Sequence, residues 1–183
     1  MKRLLLFVLL CAICSIGYAQ KIVSDEVDGD GMRIITCEEI SIKPTFKLSL
    51  TSFRYKNMGG LRLTVFSVKT SDFTVRKDMK LLLKTINDEV ITLESCETFP
   101  ALRDKIITDD GEVFVGYVNV SLYTMTEETI KKISKGIKKI RQETTDGLID
   151  VEIDDATIGS MLKQNFDLME QAFKTPKSIY SDF

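Results

Sequence analysis

The chain has 183 residues and contains no histidine, no tryptophan, only three prolines and four cysteines. Without imidazole there is no Ser-His-Asp or Cys-His arrangement, no HExxH zinc site and no access to the commonest general base. Without tryptophan, platforms for stacking sugar rings are thin and the lipocalin signature is missing. Long apolar runs are lacking too. The longest, Leu4 to Ile16, has 13 residues, too few to cross a bilayer as a helix. Charge is too dense elsewhere for the lipid-facing band of a membrane barrel, and Ser181, Lys177 and Thr175, at alternate positions back from the terminal Phe183, are polar.

Lys2 and Arg3 precede the Leu4–Ile16 run, and Gly17-Tyr18-Ala19 follows it. That order is the plan of a secretory signal peptide over residues 1–19, with cleavage after Ala19 and Gln20 as the mature N-terminus. Leu10 and Ile13, rather than small residues, precede Cys11 and Cys14, which excludes a lipid-modified cysteine at either. The expectation is an exported chain, periplasmic or extracellular, without a transmembrane segment. Without residues 1–19, 23 basic residues face 27 acidic ones, a balance of −4. This gives nucleic acid no general foothold. Only Cys37 and Cys96 then remain. They allow one intramolecular disulfide in an oxidising compartment, and the alternative is two small buried thiols.

The most informative stretch runs from Tyr117 to Ile153. Upstream of Thr124, apolar residues alternate: Phe114, Val118, Val120 and Leu122 share one parity, and Val113, Val115, Tyr117 and Tyr123 take the other. Period two with β-branched and aromatic residues predicts a strand. Thr124 and Thr126 are both candidate helix caps, with Glu127 and Glu128 at the positive end of the dipole and Lys131 and Lys132 four residues on. Ile130, Ile133, Ile137 and Ile140 would suit one continuous helix. Gly136 opposes it, since glycine costs about 1 kcal/mol inside a helix and fits naturally just past its end. Thr145-Asp146-Gly147-Leu148 adds a type I′ hairpin signal, which needs a strand on each side. The reading is therefore a helix near 127–135, then strands Lys138–Thr145 and Leu148–Asp154.

Elsewhere, Gln20 to Met32 is polar and acidic and reads as a flexible arm, ahead of a single domain over 33–183. Arg33–Ile40 is a candidate strand and Pro44 opens a second. In that second strand the apolar parity slips from Phe46, Leu48 and Leu50 to Phe53 and Tyr55, which suggests a bulge near Thr51-Ser52. Asn57-Met58-Gly59-Gly60 reads as a turn, and Leu61–Lys69, apolar on both faces, as a central strand. Lys80–Ile86 and Val90–Glu94 form a hairpin turning at Asn87-Asp88. Phe99–Asp110 reads as irregular. Asp154 or Asp155 would cap a final helix over 156–174, with Ile158, Leu162, Phe166, Met169 and Phe173 as its buried stripe. About eight strands with two late helices make an antiparallel α+β domain, a sandwich or a curved sheet with the last helix on one face. The alternative is a small barrel closed by that helix.

Three constellations invite chemistry. Glu26, Asp28 and Asp30-Gly31 begin an EF-hand register, but its twelfth position falls on Cys37, so a solvated acidic loop is the better reading. Ser160 and Lys163 match the SxxK pair of penicillin-binding enzymes. The partner motifs are absent, because Lys174-Thr175-Pro176 lacks the glycine and Ser181-Asp182-Phe183 lacks the asparagine, so the match is expected by chance. Lys131, Lys132, Lys135, Lys138, Lys139 and Arg141 form a basic cluster: a solvated face, or a docking patch for an anionic partner. No motif asks for a cofactor or a metal.

The run Tyr117–Gly147 resembles stretches in uncharacterised exported proteins of gut-type Gram-negative bacteria. The resemblance implies a periplasmic or surface setting and brings no activity or site residue with it. The function expected is a binding or scaffolding module without catalytic activity, recognising a protein or an anionic glycan or lipid surface. Two alternatives stand beside it. One is a carrier of an apolar small molecule, which needs an enclosed cavity. The other is a hydrolase built on two carboxylates, which needs no histidine.

Overall fold

The computed structural model describes residues 20–107, 111 and 113–177. Residues 1–19, where a signal peptide is expected, together with Asp109, Asp110, Glu112 and the Ser181-Asp182-Phe183 end, lie outside the described residues. The elements are β1 (Ile22–Val27), β2 (Arg33–Cys37), β3 (Ile40–Lys43), β4 (Phe46–Tyr55), β5 (Met58–Lys69), β6 (Thr74–Val75), β7 (Lys80–Thr85), β8 (Val90–Glu94), β9 (Phe99–Pro100), β10 (Leu102–Ile107), β11 (Val113–Met125), α1 (Glu127–Ile133), β12 (Ile137–Thr144), β13 (Gly147–Glu152) and α2 (Ile158–Lys174). All strand pairing is antiparallel.

One sheet runs β1-β2-β4-β5-β11-β10, with β3 taking up the edge of β4 where β2 leaves it. A second runs β13-β12-β7-β8. They meet along β11, whose first half is covered by β10 and whose second half bridges from Tyr123 to Ser95, just past β8. The result is the expected α+β architecture with a strongly curved sheet, open at its ends rather than closed as a barrel. Its concave side is filled by Leu48, Leu50, Leu63, Leu81, Leu83 and Ile140, and by Leu162 and Met169 of α2. The guanidiniums of Arg33 and Arg54 lie over the Phe173 ring, 5.5 and 4.3 Å from its centre, and fasten the end of α2 to β2 and β4.

The ambiguity at residue 136 resolves as helix then strand. Thr126 caps α1, its Oγ1 accepting from the Thr129 N–H at 3.1 Å. Gly136 stands at φ +128°, a conformation that side chains disfavour, and its N–H closes the helix on Ile133 O at 2.9 Å. Beyond it the isoleucine spacing of a helix becomes the inward face of β12. The following hairpin has a different turn from the one expected. Thr144 pairs with Gly147, and only Gly147 has positive φ (+90°), so this is a type I turn with a glycine bulge rather than type I′.

Five further expectations are corrected. Within the 20–32 arm Ile22–Val27 is strand β1: Ile22 packs on the core, Asp25 binds Arg33, and Asp28 Oδ1 accepts from the Asp30 and Met32 amides in the turn that follows. β4 has no bulge near Thr51-Ser52. Its register on β5 is unbroken, Ser52 is buried and donates to Gly60 O at 3.1 Å, and Phe53 and Tyr55 belong to the outer face. The turn before β5 is Lys56-Asn57, with Tyr55 opposite Met58, so the two glycines lie in the strand. Phe99–Pro100 and Leu102–Ile107 are strands, not irregular chain. α2 starts at Ile158, because Asp155 spends its carboxylate on the Thr157 amide at 2.8 Å, in a turn ahead of the helix.

Candidate binding surface

The basic cluster does not form one face. Lys131 and Lys132 stand on α1, Lys135 follows it, and Lys138, Lys139 and Arg141 lie on β12. Lys131 meets Glu127 at 2.7 Å, and Lys132 meets Glu89 at 3.0 Å and Glu128 at 3.5 Å. Lys138 meets Asp88 at 2.7 Å, and Lys139 lies 2.6 Å from Glu152 and 3.1 Å from Asp150. Arg141 grips Asp150 through two bonds of 2.6 and 2.7 Å. Lys135 alone of the six makes no ion pair among the described residues. These acids come from α1 itself, from the β7–β8 turn and from β13, so the cluster is a ladder of exposed pairs rather than a field of positive charge. The pairing has a titration signature. Bonds from Arg141 and from Lys138 hold the carboxyls of Asp150 and Asp88 down at about 2.

The other candidates are absorbed by structure. Ser160 Oγ donates to Thr157 O at 2.7 Å, and Lys163 Nζ is held by Asp167 at 2.5 Å, so hydroxyl and amine serve different partners. Among the described residues no three His, Cys, Asp or Glu side chains gather as a metal site requires. Cys37 and Cys96 are free thiols, which removes the proposed disulfide. Cys37 is buried under α2, 3.5 Å from Asn165 O, while Cys96 sits half-exposed with its Sγ 3.2 Å from Thr124 Oγ1.

An open groove of about 800 Å³ lies between β3 and the start of α2, lined by Glu38, Glu39, Ser41, Asp155, Thr157 and Met161. A second groove of about 410 Å³ is lined with hydroxyls and a thiol, among them Thr124, Thr126 and Cys96. Neither is the enclosed apolar space that a carrier needs, since the concavity of the sheet is filled by its own core.

Inside that core lies a polar network. Gln142 Nε2 donates to Ser121 Oγ at 2.9 Å and to Tyr123 Oη at 3.0 Å, and Asn119 Nδ2 donates to Phe99 O at 2.6 Å. Gln142 Oε1, Asn119 Oδ1 and the Ser67 hydroxyl have no partner among the described residues. Turning the Gln142 amide over exchanges its orphan rather than removing it. Burial pushes the Tyr123 phenol up, so it stays neutral. A network of neutral amides and hydroxyls can fix geometry but holds no general base to activate its hydroxyls.

The ribbon of β10 and β11 is left open. Leu102 and Ile107 are each 72% exposed, Val113 61%, Val120 50% and Val115 49%. No described strand pairs with the far side of β10. The register sets Leu102, Asp104 and Ile106 opposite Val118, Gly116 and Phe114 on the outer face. Val118 and Val120 continue there to Val68 and Phe66 of β5. Arg103 and Lys105 point to the other face, opposite Tyr117 and Val115, and both are exposed. Sequence reasoning missed this strand because Leu102–Ile107 alternates charge rather than hydrophobicity. The available signal was the neighbouring β11, whose apolar parity on the wrong side of the core implied an uncovered face. Comparison with family models, with curated proteins and with solved structures finds no match for this chain.

Proposed function

We propose that the chain is an exported binding module without catalytic activity, which recognises a partner protein by taking an extended segment of it onto β10. The observation that carries this reading is the free edge of β10, set in a ribbon with five apolar side chains about half exposed or more. An edge strand offers a row of unpaired amide and carbonyl groups, and natural folds cover or blunt such edges unless they use them. Exposed apolar surface of this kind marks interaction sites. The ion-paired state of the 131–141 cluster turns the reading away from an anionic glycan or lipid and toward the sheet edge. Export rests on the residue order Lys2-Arg3, Leu4–Ile16 and Gly17-Tyr18-Ala19.

The test uses a soluble ten-residue peptide alternating valine and serine, titrated into the chain lacking residues 1–19 while backbone amide signals are followed. Binding should perturb the amides of β10 and slow their hydrogen exchange. Leu102→Asp with Ile107→Asp should abolish it and leave the fold intact, because both side chains are solvent-exposed. Perturbation confined to another surface, or none at millimolar peptide, would defeat the reading.

A further inference from the structure

We propose that the segment received by β10 carries the charge order acid, base, acid, flanked by apolar residues; this rests on the strand-addition reading above. Three observations converge on it. First, the centre of β10 presents Arg103, Asp104 and Lys105 in succession, all exposed and none ion-paired among the described residues. The basic residues of the 131–141 cluster are, Lys135 apart, already neutralised by carboxylates, whereas Arg103 and Lys105 are left for a partner.

Second, the strand repels its own copy. Residues directly opposite in an antiparallel pair point to the same face, so a twofold pairing of β10 with a second β10 must set residues of equal parity opposite. One register places Asp104 against Asp104 and Arg103 against Lys105. The next places Lys105 against Lys105. Like charges directly opposite destabilise a strand pair, so the edge is guarded against self-association while remaining open to a complementary strand.

Third, the charges are bracketed by apolar groups, Leu102 on one side and Ile106 and Ile107 on the other. A segment matching residues 102–106 position by position therefore reads apolar, acid, base, acid, apolar. Its acids face Arg103 and Lys105 on one side of the ribbon. On the other, its base faces Asp104 between two apolar pairs on Leu102 and Ile106. The pattern is the same in both directions, so it serves parallel and antiparallel addition alike.

The experiment compares two ten-residue peptides that differ only in the central triplet, Glu-Lys-Glu or Lys-Glu-Lys, each flanked by valines. Both are titrated into the chain lacking residues 1–19 and into the triple variant Arg103→Glu, Asp104→Lys, Lys105→Glu. The expected result is about tenfold tighter binding of the Glu-Lys-Glu peptide, a preference that shrinks with salt and inverts in the triple variant. Equal binding of the two peptides at β10 would overturn the charge pattern and leave strand addition standing. Binding of neither would overturn both. A concentration-dependent dimer seen by sedimentation, lost with Leu102→Asp, would show that a second copy occupies the edge and overturn the proposal.

Discussion

Cys37 and Cys96 show how much a residue's chemistry depends on where the chain carries it. As sequence they are a pair of equals with one possible bond. In the fold Cys37 is sealed beneath α2, and burial pushes its thiol up to about 11. Cys96 lines an open groove. At neutral pH, iodoacetamide should therefore label Cys96 in the native protein and reach Cys37 only after unfolding. The melting temperature should be indifferent to reductant. A mass short by two hydrogens, or a melting point that falls with reductant, would show a bond. Gln142 teaches the same lesson from the opposite side. In sequence it is one polar residue on an otherwise charged strand, yet its inward parity with Ile140 places it wholly inside the core, beneath Ser121 and Tyr123.

Among the elements, α1 and α2 cross in close backbone contact. A Cβ on Gly159 would lie 1.9 Å from Ile133 O and 3.1 Å from the Gly136 Cα, so the first turn of α2 rests directly on the backbone that ends α1. Gly159→Ala should destabilise the fold by about 1–3 kcal/mol, as overpacking against backbone does. Gly29→Ala, which meets nothing within 4 Å, should stay within about 0.5 kcal/mol. Urea denaturation of both variants checks the contrast, and equal midpoints would refute it. The helices and the Lys80–Glu94 hairpin were legible in sequence because period, cap and turn agree locally. β10 was not, since a strand whose own residues are charged is held by pairing with β11 rather than by any pattern it carries.

Across the whole molecule, many of the charged side chains are held in ion pairs. Asp88 and Asp150 have carboxyls held at about 2 against an ordinary 3.8, chiefly by bonds from Lys138 and Arg141, and Arg33 lowers Asp25 as well. A carboxyl whose folded-state value lies below its unfolded one stabilises the fold at every pH above the unfolded value. That contribution is lost as pH falls through the folded one. Stability should thus be level toward neutral pH and decline from about pH 4 to pH 2, with a shallower decline in Asp150→Asn. Urea midpoints across that range measure it, and a flat profile would count against the ladder. The Asp88 and Asp150 pairs are solvent-exposed, so each contributes little singly and the effect is a sum over pairs.

Taken alone, the sequence determined the class of this protein: antiparallel strands, a capped helix broken at Gly136, a final amphipathic helix, and no imidazole chemistry. Each of those follows from local rules of period, capping and composition that act within a few residues. Tertiary structure decided which surfaces remain available. Acids from β8's turn and from β13 neutralise a cluster that looks basic on paper, α2 fills the concavity that a carrier would need, and β11 draws a charged segment into an edge strand that no described strand covers. Those outcomes depend on contacts between distant parts of the chain, and pairing between distant residues leaves no periodic trace in the residues that take part.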